Sequence, residues 1–69
     1  MQKIFTPYGE EIPEDLIDKV PEQIRTYLEK SRDEDKNYSL VDRFFKRSGI
    51  PLPFDYVGTI AEYLSVGEL

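Results

Sequence analysis

This chain has no histidine and no cysteine, which removes the commonest general base and the most reactive nucleophile together. What remains is a set of carboxylates and the hydroxyls of Ser31, Ser39, Ser48 and Ser65, none of which sits in a motif that activates a serine oxygen. Paired carboxylates run hydrolysis where a cleft drives their pKa values apart, but 69 residues leave little depth for such a cleft. The expectation is a protein that is not an enzyme and takes no cofactor.

Metal chemistry has one candidate string, Asp33-Glu34-Asp35-Lys36-Asn37-Tyr38-Ser39-Leu40, whose alternating oxygens follow the first half of a calcium-binding helix-loop-helix. The second half fails: the sixth position of the loop needs glycine and is Tyr38, and the twelfth needs a bidentate glutamate and is Phe44. The string reads instead as a solvated connector ending in a helix cap, with no metal site.

Nucleic-acid chemistry is opposed by charge. Fourteen acids against nine bases give a formal charge of −5, which repels phosphate at long range. The helix-turn-helix order of Leu40 to Leu64 does not rescue it. The connector from Gly49 to Tyr56 is long and holds Pro51 and Pro53, and the second helix carries Asp55 and Glu62 but no base to approach a backbone.

Surface recognition is the chemistry left. Tyr8, Tyr38, Tyr56 and Tyr63 together with Phe5 and Phe54 exceed what a minimal helical core encloses, and tyrosine and phenylalanine offer large contact areas for few rotatable bonds, so Tyr8, Tyr38, Phe54, Tyr56 and Tyr63 are the candidate interaction residues. Phe54 and Tyr56 flank Asp55 just after a stiff proline segment, a place from which a loop presents an anchor. The competing account puts Phe54 in the core, folded back onto Phe45, and leaves the tyrosines as caps with their hydroxyls in water.

Charge is unevenly spread. Glu10, Glu11, Glu14, Asp15 and Asp18 form an acidic block without an intervening base, while Arg43, Lys46 and Arg47 face a single acid, Asp42. The block reads either as ordinary solvated surface or as an imitation of DNA phosphates.

The elements that must hold these groups follow from periodicity and stop signals. Residues 1–12 form an extended arm or a β-hairpin, with Thr6-Pro7-Tyr8-Gly9 as its turn. Residues 13–31 hold a helix pair or one kinked helix. Pro13 and Pro21, each followed by acids, mark helix starts, and the β-branched Val20 before Pro21 favours a break.

A helix over 39–48 is capped by Ser39 with Asp42 answering, and is closed by Gly49 and Pro51. A last helix over 55–66, ending near Gly67, repeats Val57, Ile60, Ala61 and Leu64 on one face and carries Gly58 at a cost of about 1 kcal/mol against alanine.

The fold expected is mainly α: a single domain over 1–69, a compact bundle of three or four short helices with a short N-terminal extended segment or β-hairpin. Its core comprises Ile4, Leu16, Ile17, Val20, Ile24, Leu28, Leu40, Val41, Phe44, Phe45, Ile50, Val57, Ile60, Ala61 and Leu64.

The absence of cysteine and of any long apolar stretch points to a cytoplasmic protein with no membrane partner. No family motif is matched. In size, acidity and lack of catalytic groups the chain has the general character of small accessory proteins of phages and mobile elements, which bind and inhibit larger enzymes. The expected role is a regulator or inhibitor that binds a larger protein. DNA mimicry against a DNA-binding protein or nuclease, or service as a structural subunit with self-association, are the alternatives.

Overall fold

The computed structural model describes residues 3–66. Its first element is a hairpin of strand β1 (Ile4–Phe5) and strand β2 (Glu11–Ile12), antiparallel with Ile4 opposite Ile12 and Phe5 opposite Glu11. A hairpin, and not an extended arm, is therefore formed. The turn between the strands is closed by Gly9 N–H donating to the Thr6 carbonyl at 2.9 Å, and Gly9 takes φ +84°. An L side chain is strained in that region, so glycine is what the turn requires.

Thr6 does more than begin the turn. It is 4% exposed, and its Oγ1 accepts the backbone N–H groups of Tyr8 at 3.3 Å and Glu10 at 3.2 Å. The loop's amides thus find acceptors without a longer ladder.

Two helices follow, α1 (Glu14–Asp18) and α2 (Glu22–Lys30), separated at residues 19–21 as the Val20-Pro21 pair demands. Pro13 and Pro21 stand one position earlier than a first-turn reading puts them. Both occupy the cap position, with extended ψ of 135° and 157°, and neither supplies a side-chain acceptor.

Arg25 secures the corner. Its Nε donates to the Val20 carbonyl at 2.9 Å and its Nη2 to the Ile17 carbonyl at 2.5 Å. Helix α1 has no base in its own last turn, so a guanidinium from the next helix serves the carbonyls at its negative end.

Helix α3 spans Glu34–Arg47 and corrects the sequence reading at its start. Of the charged stretch that reads as a connector, 31–33 is non-helical and 34–37 is helical. Asp33 is the cap, its Oδ1 accepting Lys36 N–H at 3.2 Å; Ser39 lies exposed in mid-helix and caps nothing. Asp42, expected to answer Ser39, pairs with Lys46 at 3.0 Å across one helical turn. Glu34 and Asp35 at the start, with Lys46 and Arg47 at the end, oppose the helix dipole in the favourable sense.

The far end behaves as read. Ile50 N–H donates to Phe45 O at 2.9 Å and Gly49 N–H to Lys46 O at 3.1 Å, with Gly49 at φ +77°. This pair of bonds is the Schellman closure of a helix.

Helix α4 (Phe54–Val66) starts one residue before the expected position, its first bond running from Val57 N–H to Pro53 O at 3.2 Å. Gly67 lies outside the described residues. Helix α4 packs against both α2 and α3, and buries Val57, Ile60, Ala61 and Leu64. Around that stripe gather Ile17, Val20, Leu28, Val41 and Phe45, with Ile12 added from the hairpin.

Phe44 meets Phe45 edge to face, ring centres 5.1 Å apart, and is only partly buried. Ile4, Leu16, Ile24, Leu40 and Ile50 pack around this core, so each expected core residue belongs to it or borders it. Among the described residues, no helix is long and apolar enough to cross a membrane.

Arg25→Met keeps much of the stem's packing but deletes both carbonyl bonds. It is expected to lower stability by about 2 kcal/mol, the usual scale for hydrogen bonds to a charged group. Urea unfolding should show a lower midpoint at unchanged slope, with Arg25→Lys recovering less than half of the loss. An unchanged midpoint for Arg25→Met contradicts the corner assignment.

Candidate binding groove

The hairpin turn, the first turns of α3 and one side of α4 meet along a groove of about 420 Å³. Pro7 and Tyr8 line it from the turn, Glu34, Asp35, Asn37 and Tyr38 from α3, and Phe54, Asp55, Gly58, Thr59, Ala61, Glu62 and Ser65 from α4. On α4 the polar members stand at positions 55, 58, 59, 62 and 65, a helical stripe beside the buried one.

The groove brings together three of the aromatics expected at an interaction surface. Tyr8 is 72% exposed, Phe54 is 67% exposed, and Tyr38 is half-buried and packs against the core. Phe54 does not fold back into the core. Its position at the first residue of α4, after Pro51 and Pro53, leaves it outside the stripe that α4 buries.

Tyr56 and Tyr63 are not brought to the same place. Tyr56 packs against the core, and Tyr63 is 41% exposed but does not line the groove.

Gly58 lines the groove near Tyr38. A Cβ built there stands 3.9 Å from Cδ2 of Tyr38, ordinary contact and not a clash. Helix packing therefore does not force glycine at this position.

The electrostatics of the groove have one sign. Glu34, Asp35, Asp55 and Glu62 line it, and no lysine or arginine does. The ion pair of the described residues, Lys46 with Asp42, lies elsewhere. Asn37 adds an unmet acceptor: the residue is 4% exposed, and its Oδ1 is buried without a hydrogen-bond partner among the described residues. Such a group costs stability unless something pairs with it.

The acidic block reads differently. Glu10, Glu11, Glu14, Asp15 and Asp18 are all exposed, spread from the hairpin's return strand to α1, and form no ion pair among the described residues. Of the basic cluster, Lys46 is engaged by Asp42, while Arg43 and Arg47 are exposed.

The candidate calcium string has been absorbed by α3. Its alternate oxygens are distributed around a helix, and Asp33 is committed to a cap. Among the described residues no three acidic side chains are grouped to hold a metal ion. Ser48 and Ser65 donate their hydroxyl hydrogens to the carbonyls of Phe44 and Glu62 on their own helices.

Gly58 and Glu62 are not assigned to a site by sequence reasoning, which places Glu34, Asp35 and Asn37 only in the rejected calcium string. The signal that finds them is helical register: once α3 starts at Glu34, Glu34 and Tyr38 stand one turn apart, as do Gly58 and Glu62 on α4.

Asn37→Leu is nearly isosteric and removes the unpaired acceptor. The free protein is expected to gain about 1 kcal/mol, a rise in melting temperature of roughly 4–8 °C for a domain of this size. Thermal unfolding followed by circular dichroism measures this, and a fall in melting temperature contradicts it.

No protein-family model, no curated protein and no solved structure matches this chain.

Proposed function

We propose that this protein is a non-catalytic regulator or inhibitor that acts by binding a larger protein, with the aromatic and acidic groove as its contact surface. The observation that carries this reading is that Phe54 and Tyr8 are both exposed and both line one groove.

Leaving a large apolar side chain in water forgoes about 1.5–3 kcal/mol of burial energy. A domain of this size has only a few kcal/mol of net stability to draw on. Aromatic side chains kept outside such a small core are well suited to be buried by something else, as interface anchors are. The lack of histidine and cysteine accords with action through surface alone, and the lack of cysteine accords with a cytoplasmic setting.

One specific observation favours a second reading. The five acids of the block are exposed and without ion-pair partners among the described residues, as a phosphate mimic against a DNA-binding protein or nuclease requires.

Affinity capture from lysate with variants at two salt concentrations separates the readings. With groove binding, Phe54→Ser combined with Tyr8→Ser lowers partner recovery at least tenfold, because anchor truncations cost more than about 1.4 kcal/mol, while added salt weakens capture only modestly. With mimicry, the aromatic changes leave capture intact. Neutralising Glu10, Glu11, Glu14, Asp15 and Asp18 then abolishes it, and so does salt. Recovery of no stoichiometric partner contradicts both.

A further inference from the structure

Resting on the protein-binding reading, we infer that the groove recognises a basic peptide segment of the partner by receiving an arginine side chain.

Three features of the groove converge on a guanidinium. The first is charge. Glu34, Asp35, Asp55 and Glu62 line one concavity with no lysine or arginine among its lining residues, so a cation is the guest whose charge the groove complements.

The second is the aromatic wall. Tyr8 and Phe54 are exposed, and a planar, weakly hydrated guanidinium stacks on aromatic faces more readily than a compact ammonium. The third is Asn37, whose buried Oδ1 has no donor. Arginine brings five N–H donors and no acceptor, so it supplies what this residue lacks and adds no new unmet acceptor.

Size is consistent with a side chain as the guest. At about 420 Å³ the groove stands near the lower end of the range for small-ligand pockets, roughly 300–1,000 Å³. That accommodates an arginine and its immediate neighbours, not a folded element. Phosphate-bearing partners are disfavoured by the same four carboxylates.

A second copy of this chain is also disfavoured. Its basic residues Lys36 and Arg43 line a separate depression between α2 and α3, and two molecules of charge −5 repel each other.

The test is a ¹⁵N–¹H titration of the whole protein with a blocked Leu-Arg-Leu-Arg-Leu peptide and with counterparts carrying lysine, citrulline or glutamate in place of arginine. The arginine peptide is expected to shift the amides of Tyr38, Gly58, Thr59 and Glu62. It is expected to bind at least tenfold more tightly than the citrulline peptide, which keeps the shape and loses the charge, with lysine intermediate and glutamate without effect.

Asp55→Asn combined with Glu62→Gln should weaken the arginine peptide by about tenfold while far-UV circular dichroism stays unchanged. Asn37→Leu should weaken it too, in a protein no less stable than the parent, so lost binding there cannot be put down to lost folding.

Equal binding of the arginine and citrulline peptides overturns the inference. So do shifts centred on Glu10 to Asp18, shifts that depend on protein concentration without peptide, or no shifts at all. The parent reading is tested separately. A captured partner that needs Phe54 but is not displaced by the arginine peptide, and ignores Asp55→Asn with Glu62→Gln, keeps protein binding and removes arginine as its key.

Discussion

The packing of α4 against α2 and α3 is the constraint from which the other features follow. Val57, Ile60, Ala61 and Leu64 form its inward stripe, and Val57 and Ile60 are among the most completely buried side chains. Burying such a stripe is worth about 1.5–3 kcal/mol for each large side chain, which in a domain this small dominates the choice of fold. The hairpin contributes Ile12 and α1 contributes Ile17, so even the N-terminal elements are organised toward the same core.

The rotation of α4 that buries this stripe also decides what stays outside. Phe54 falls at the helix start, beyond the stripe, and the polar row that includes Asp55, Gly58, Glu62 and Ser65 runs along the side of α4 that forms the groove. The first turns of α3 bring Glu34 and Asp35 to the same place because Asp33 caps the helix there. Acidity near a helix start complements the dipole, so Glu34, Asp35 and Asp55 stabilise the helices they begin while adding to the negative field of the groove. Asn37 is different in kind: its buried acceptor is unpaired among the described residues, and such a group costs stability.

Stop signals and apolar spacing were legible from sequence because they are local. Gly49 with Pro51 closes α3 through backbone bonds that span a few residues, and the i, i+3, i+4, i+7 row of α4 needs only its own helix to be recognised. The start of α3 was not legible for the opposite reason. All six residues from Arg32 to Asn37 are charged or amide-bearing, which reads as a connector, yet Glu34, Asp35 and Lys36 are exposed on a helix whose other side buries Asn37. Arg25 and Thr6 were missed because their roles depend on where another segment turns: two carbonyls at the end of α1 for Arg25, and the loop amides for Thr6. Of the expected interface residues, Tyr8, Tyr38 and Phe54 meet only in three dimensions. Tyr56, two positions from Phe54, is carried about 200° around the helix and packs against the core instead.

Native-state hydrogen exchange of the free protein tests most directly whether α4 is the common wall on which core and groove depend. If it is, the amides of Ile60, Ala61 and Leu64 exchange only through global unfolding, with opening free energies equal to the unfolding free energy from urea. Opening of α4 well below that value, while α2 and α3 stay protected, would show a detachable helix and no formed groove, and would contradict this account of both the fold and its surface.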